Sequence, residues 1–170
     1  MSYVISDLHL GHTRLLTGWK EKPLMRHFAS LDAMHECIVE RWNATIKEAN
    51  TQVYVLGDIT LHRRYLPILK ELTGSKVLIR GNHDTFKLKD YLPYFEDIRG
   101  CHVYQKRFLL SHAPWHPGSM TRYDLNIHGH LHTQVVMNGE YRDRRYINVS
   151  VEQTNYYPVN LDQLVRSAIE

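Results

Sequence analysis

Five short segments of this 170-residue chain run into residues of types that can ligate metal ions. Tyr3-Val4-Ile5-Ser6 leads to Asp7-Leu8-His9, and Val53 to Leu56 leads to Gly57-Asp58. Lys76 to Ile79 leads to Arg80-Gly81-Asn82-His83-Asp84, and Phe108 to Leu110 leads to Ser111-His112. Leu125 to Ile127 leads to His128-Gly129-His130-Leu131-His132. Carboxylate, amide oxygen and imidazole are present and thiolate is not. That donor set suits Mn, Fe, Zn or Ni, and is too rich in histidine for Ca or Mg alone. Asp7 and His9 are two apart, so in an extended segment they share a face and can chelate one ion. His130 and His132 can do the same, or a bent loop can send them to neighbouring ions. Gly57, Gly81 and Gly129 each precede a candidate ligand, where a residue without Cβ permits a sharp turn and close approach. One such pair is an ordinary polar loop. Five separate segments ending in compatible ligands are a constellation, in a chain with 12 histidines and no tag-like run.

The elements that position these residues follow from periodicity. The first three segments are almost continuously apolar, which suits strands buried on both faces. Between the first and second, Leu31, Met34, Ile38, Trp42, Thr45, Ile46 and Ala49 keep helical spacing, predicting a helix over Leu31–Ala49. Tyr65–Leu72 reads as a shorter helix with Pro67 in its first turn and Gly74 beyond its end. Strand, helix, strand, helix, strand argues for an α/β fold with parallel pairing in the first half. The second half is strand-rich: Phe108–Ser111, Leu125–His128, Val135–Met137 and Tyr141–Val149, with Asn138-Gly139 as a hairpin signal. Leu161–Ile169 reads as a closing helix, with Asn160 and Gln163 placed as a capping box. Candidate ligands thus gather at strand carboxyl ends, the edge where open α/β sheets bind ligands. No repeat or linker divides the chain, so residues 1–170 read as a single domain.

Bulk properties set limits. Hydrophobic content of 43% and charged content of 23% are ordinary for a globular protein. A net charge of +3 suits a phosphate-bearing substrate, but no basic run is dense enough to specify nucleic acid. Arg142-Asp143-Arg144-Arg145 reads as a solvated turn. Cys37 and Cys101 form no disulfide framework or C-x-x-C pair. The start of the chain lacks signal-peptide character and no apolar run reaches bilayer length, so a reduced cytoplasm is the expected compartment.

Asp-x-His, Gly-Asp, Gly-Asn-His-Asp, His and Gly-His-x-His, in that order over residues 7–132, resemble the calcineurin-like metallophosphoesterase superfamily. Tyr146 to Val151 leading to Asn155-Tyr156-Tyr157-Pro158-Val159 is similar to the ending of its small bacterial and phage phosphoesterases. The resemblance implies a four-layer α/β/β/α sandwich with a dinuclear metal site at the strand carboxyl ends. By position, it implies that Asp7, His9 and His132 hold one ion. Asn82, His112 and His130 hold the other, Asp58 bridges them, and Asn82 also meets substrate. It makes His83 the non-ligand histidine facing the leaving group, with Asp84 orienting it. Two cations roughly 3.5–4 Å apart lower the pKa of a bridging water and clamp the phosphoryl oxygens, so a hydroxide attacks in line. The implied activity is hydrolysis of a small, nucleotide-like phosphomonoester or phosphodiester. A nuclease on RNA or single-stranded DNA is the alternative, and a non-catalytic metal-binding scaffold is a third reading that His83 disfavours.

Departures narrow the family. Gly57-Asp58-Ile59-Thr60 lacks the Asp-Arg-Gly extension of Ser/Thr protein phosphatases, and Asp84 stands where those carry Glu. The chain leaves no room for the large additions of double-strand-break nucleases. His12, three beyond His9, either reaches substrate or is a loop histidine. His62, Arg63 and Arg64 read as a solvated helix start with phosphate binding as the other option. Arg80 is undecided between these uses, and His116 reads as rim. His128 ends a strand, while His27, His35 and His102 read as surface or structural. Trp19, Trp42 and Trp115 read as core or rim packing. The loops 13–29 and 113–124 would hold substrate specificity and carry no diagnostic motif.

Overall fold

Apolar runs alternating with helices build a parallel sheet in the first half of the chain. In the computed structural model, which describes residues 1–18 and 23–169, β1 (Ser2–Ile5) is followed by α1 (Arg14–Thr17) and α2 (Leu31–Thr45). Trp19 lies outside the described residues. Next come β2 (Gln52–Val55), a 3-10 helix (Arg63–Lys70), β3 (Ser75–Ile79), α3 (Leu88–Tyr91) and β4 (Asp97–Arg99). β1 to β4 pair in parallel. The helix expected over Leu31–Ala49 starts on Ser30, whose side chain accepts the Ala33 N–H, and stops at Thr45. Ile46 takes an extended backbone (φ −96°, ψ 109°) and its side chain is buried in the core. The expected Tyr65–Leu72 helix is a 3-10 helix two residues earlier. Pro67 inside it removes a donor that an α-helical ladder would need.

The second half makes another sheet. β5 (His102–Tyr104), β6 (Phe108–Leu110), β7 (Leu125–His128) and β10 (Tyr146–Asn148) stand in the order β10-β7-β6-β5. β10, β7 and β6 are parallel, and β5 is antiparallel to β6. Between β7 and β10, β8 (Met137–Asn138) and β9 (Tyr141–Arg142) form a small hairpin. Asn138 pairs with Tyr141, so the turn is Gly139-Glu140 rather than Asn138-Gly139, with Gly139 supplying the positive φ of 61°. The single strand expected over Tyr141–Val149 is broken at Asp143, whose carboxylate accepts the Arg145 N–H at 3.0 Å in a tight turn. Finally β11 (Val159–Asn160) pairs antiparallel with β1 and completes the first sheet, β11-β1-β2-β3-β4, ahead of α4 (Leu161–Ile169). The Asn160 side chain caps α4 by accepting the Gln163 N–H at 2.9 Å.

These elements stack as an α/β/β/α sandwich. α2, the 3-10 helix and α3 cover one face of the first sheet, with Met34, Ile38, Trp42, Leu66, Leu69 and Tyr91 against Ile5, Val53, Val55 and Leu78. Its other face, Val4, Leu56, Val77 and Ile79, packs on Phe108, Leu110, Leu125 and Ile127 of the second sheet. Leu161 and Val165 of α4 join that middle core. The last layer is thin: Trp115, Met120 and Tyr123, around a 3-10 turn at Pro117–Ser119, pack on Leu109 and Tyr146. β1 to β3 are therefore covered on both faces, as their continuous apolar character requires. The sheets meet at their carboxyl ends, where the Ser6 N–H donates to Val149 O and the Val151 N–H to Ser6 O, both at 3.1 Å. Among the described residues, no helix is long and apolar enough to cross a membrane.

Trp42 anchors α2. It is fully buried and its Nε1 donates to Thr73 O at 2.7 Å. Trp42→Ala is expected to cost about 3–5 kcal/mol through a cavity and an orphaned carbonyl. Urea denaturation measures this, and a loss under about 1 kcal/mol would refute the anchoring role.

Candidate metal centre

The ligand-type residues converge at the joined strand ends, and the backbone there is unusual. Asp7 (φ 61°), His9 (48°), Asp58 (55°), His130 (69°) and His132 (50°) all take the left-handed region. A non-glycine residue there typically costs about 1–3 kcal/mol and persists only where its surroundings fix it. The surroundings are a set of cross-loop hydrogen bonds. The Asp7 N–H donates to Gly57 O at 3.1 Å, His9 N–H to Asp58 O at 2.9 Å, and Gly129 N–H to His112 O at 2.8 Å. Gly57 is itself at φ 82°, and a Cβ on it would lie 2.5 Å from the Gly81 amide nitrogen. At Gly81 the obstacle is Asp58, and at Gly129 it is Ser6 and Asp7, so side-chain absence is what lets the loops approach.

The extended geometry expected for Asp7-Leu8-His9 is not what forms. Two left-handed residues bend the segment, which buries Leu8 in the core and brings Asp7 Oδ1 within 3.7 Å of His9 Nε2. Of the two options for His130 and His132, the bent loop is realised. His132 groups with Asp7 and His9, and His130 groups with Asp58 and His112, each set with its ligand atoms within 4.8 Å of one another. Asp58 faces both groups, with Oδ2 3.4 Å from His9 Nε2 and Oδ1 3.4 Å from His112 Nε2. Asn82 is exposed and its Oδ1 lies 2.8 Å from His112 Nε2, at the second group.

Polar atoms in the first group are left without partners. Asp7 Oδ1 and His9 Nε2 are buried and unbonded, whereas Asp7 Oδ2 accepts from the His130 N–H at 2.8 Å and from Ser150 Oγ at 2.9 Å. A buried carboxylate oxygen and an imidazole nitrogen aimed at one another are costly unless a cation lies between them. The residues present therefore fit a bound metal ion. At the second group, His112 Nδ1 donates to Leu56 O at 2.7 Å, which turns Nε2 toward Asp58 and Asn82. Charge is set accordingly. Burial works against ionised Asp7, but the nearby imidazoles of His9, His132 and His112 hold its pKa below the usual carboxylate range. Asp58 is also held low, by His112 and His9 against its burial. Burial pushes the His9 pKa down, toward the neutral form that binds metal.

Two residues that sequence reasoning missed complete the centre. Glu152 Oε1 accepts from His132 Nδ1 at 3.0 Å and from Arg26 Nε at 2.8 Å. Arg26 is 1% exposed and also donates to Leu8 O at 2.8 Å and Asp7 O at 2.5 Å. One buried guanidinium thus ties the Asp7 loop to the carboxylate that orients His132. The Val151-Glu152 step after a strand was a usable signal for Glu152. Nothing local marks Arg26.

The remaining candidates separate. Asp84 does not orient His83: its Oδ2 accepts from the Asp58 and Gly81 N–H groups, both at 2.8 Å, and its Oδ1 from Ile59 N–H at 2.9 Å. It fixes the loop that carries Asp58. His83 stands at the solvent edge, its side chain 43% exposed and Nε2 4.0 Å from Asp58 Oδ2. His12 Nδ1 lies 3.3 Å from His9 Nδ1, and burial, aided by nearby His9 and His83, depresses its pKa to about 4. Arg80 is spent on the backbone, binding Asp84 O through Nε at 3.2 Å. His116 accepts the Gly118 N–H, and His35 Nε2 accepts the Gly11 N–H at 2.9 Å, both structural uses. His128 ends β7, fully buried, and burial brings its pKa to about 4.

Glu152→Gln keeps an acceptor for Arg26 but removes the charge behind His132. Metal affinity is expected to fall about 10- to 100-fold, read by calorimetric titration with Mn or Zn; unchanged affinity would exclude an orienting role.

Comparison with known proteins agrees with this geometry. The family model described as calcineurin-like phosphoesterase matches residues 2–166. The uncharacterized protein MJ1445 of Methanocaldococcus jannaschii is 33% identical, with 96% of this chain and 89% of that protein covered. The Gene 66 protein of Mycobacterium phage L5 is 27% identical, with 89% and 86% covered. Among solved structures, a protein of unknown function from Aquifex aeolicus, AQ665, superimposes with TM-score 0.73 at 30% identity, over 98% of each chain. The nuclease MPE of Pseudomonas putida shares the fold at TM-score 0.53 and 22% identity, over 83% of this chain and 66% of the nuclease. With both His/Asp groups in place and a match across nearly its whole length, the chain belongs to the calcineurin-like phosphoesterase family, whose chemistry is metal-dependent phosphoester hydrolysis.

Proposed function

We propose that the protein hydrolyses a phosphodiester or phosphomonoester bond in a nucleotide-like substrate, using two divalent ions drawn from Mn, Fe, Zn and Ni. The observation that carries this reading is Asp58, whose two carboxylate oxygens each face one of the two His/Asp groups. In this reading Asp7, His9 and His132 hold one ion, Asn82, His112 and His130 the other, and Asp58 serves both. Such a pair supplies hydroxide at neutral pH and neutralises the phosphoryl oxygens. The protein's own work is to orient and to move a proton. A P–O bond forms to the incoming hydroxide oxygen, the P–O bond to the alcohol breaks, and the leaving oxygen takes its proton from His83. That role is supported by the half-exposed His83 imidazole, its ring centroid 5.5 Å from that of His9. His12, 6.5 Å from the His83 ring and outside both His/Asp groups, is suited to hydrogen-bond substrate. Cleavage of RNA or single-stranded DNA is the second reading, favoured by the fold shared with a named nuclease and by the arginines after Asp58.

The direct test is turnover of an aryl phosphate monoester and diester with added Mn, Ni, Zn or Mg. A metal-loaded preparation that cleaves neither, nor any nucleotide in a broad panel, sinks the proposal. His83→Ala is expected to keep both metals and lose about 10²–10⁴-fold in turnover, most for poor leaving groups. Asp58→Ala is expected to lose metal and activity together; full metal occupancy in that variant would contradict its shared role.

A further inference from the structure

Beyond His83 the surface does not close over. A hollow of about 420 Å³ lined by His12, Leu61 and His83 opens beside the metal centre. It shares His12, Arg14 and Leu61 with a second hollow of about 340 Å³. That one shares Leu61 and His62 with a third, of about 590 Å³, which reaches Arg63, Arg64 and Phe86. The three lie on loops that follow β1, β2 and β3, the same strand ends that carry Asp7, Asp58 and Asn82. A single small phosphate ester does not need a cleft of this extent, since sites of roughly 300–1,000 Å³ enclose whole drug-sized ligands.

Its charge is one-sided. Among the described residues, arginines and histidines line all three hollows and no acidic residue does. The contrast is a hollow between α2 and the 3-10 helix, lined by Asp32, Glu36, Glu40 and Glu71. Two of the arginines lie over aromatic rings, of which Phe86 lines the cleft. The Arg63 guanidinium lies 5.1 Å from the Phe86 ring centroid and is held by Asp90 at 2.9 Å. The Arg64 guanidinium lies 4.9 Å from the Tyr65 centroid and has no ion-pair partner among the described residues. Positive groups that track a phosphate backbone, interleaved with faces on which bases stack, are the chemistry of single-stranded nucleic-acid binding.

We propose that this cleft, from His83 past Leu61 to Arg64 and Phe86, binds the next nucleotide units of a single-stranded nucleic acid on the leaving-group side of the metal centre. The assignment rests on the hydrolase reading above and narrows its substrate to an oligonucleotide.

The test uses the full chain. Binding of fluorescein-labelled oligothymidylates of two to six nucleotides is followed by anisotropy, and turnover of an aryl phosphodiester is measured separately. Affinity is expected to rise about 5- to 150-fold as a further base is engaged. Arg64→Gln is expected to weaken hexanucleotide binding about tenfold and reduce its salt slope by about one unit. Phe86→Ala should weaken binding with the salt slope kept. Affinity independent of length, Arg64→Gln binding like wild type, or equal affinity for duplex DNA would each overturn the assignment. Length-dependent binding without cleavage of any ester would instead overturn the hydrolase reading and leave the cleft as a binding site only.

Discussion

Two carboxylates buried beneath the loops, Asp7 and Asp58, are the constraint around which the rest of this protein is arranged. Each is almost fully shielded from water, and each is held ionised by the imidazoles around it. An isolated charge in that position would simply take up a proton. The fold prevents this by delivering histidines from the far sheet to carboxylates from the near one. The sheets are accordingly joined at their carboxyl ends, through Ser6 and the Val149–Val151 segment. Arg26 answers the same constraint from the other side. Its buried positive charge is balanced by Glu152, and its guanidinium reaches the consecutive carbonyls of Asp7 and Leu8.

Much of this was legible in the chain because it is local. The apolar runs of β1, β2, β3, β6 and β7 are short, dense and abruptly ended, and the residues that end them sit where a strand edge presents them. β4, β5 and β11 escaped notice for a physical reason: Asp97-Ile98-Arg99, His102-Val103-Tyr104 and Val159-Asn160 are two- or three-residue edge elements whose pairing is decided by their neighbours. The residues of the two His/Asp groups were conspicuous by type and place, but their geometry was not. An Asp-x-His spacing suggests an extended chelate, whereas left-handed residues at both positions produce a bend that only the partner loops impose. Asp84 was misassigned because its neighbour in sequence is His83 while its partners in space are the amides of Gly81, Asp58 and Ile59. Arg26 and Glu152 are 126 positions apart, and no periodicity links residues at that range.

The four layers differ in weight, and the difference follows the site. The helical side of the first sheet is thick, with Trp42, Tyr91 and Phe95 among its core residues, and it backs the loops that carry Asp7, Asp58 and Asn82. The outer side of the second sheet has only a 3-10 turn and a few aromatic side chains. Its candidate ligands, His112, His130 and His132, are instead fixed through hydrogen bonds: Leu56 O to His112, the Asp7 carboxylate to the His130 amide, Glu152 to His132. Rigidity on that side comes from polar contacts across the seam more than from packing behind it.

The left-handed backbone at five of the seven proposed ligands also bears on the order of events as the chain folds. The contact between Asp7 and the His130 amide spans 123 residues, and neither segment has reason to hold its bend until the partner strand is in place. No fragment released early in synthesis can therefore chelate an ion in this geometry, and loading must follow the docking of the two sheets. Selection among competing ions is consequently exercised by a finished cavity of fixed bite, rather than by whichever ion the nascent chain happens to meet first.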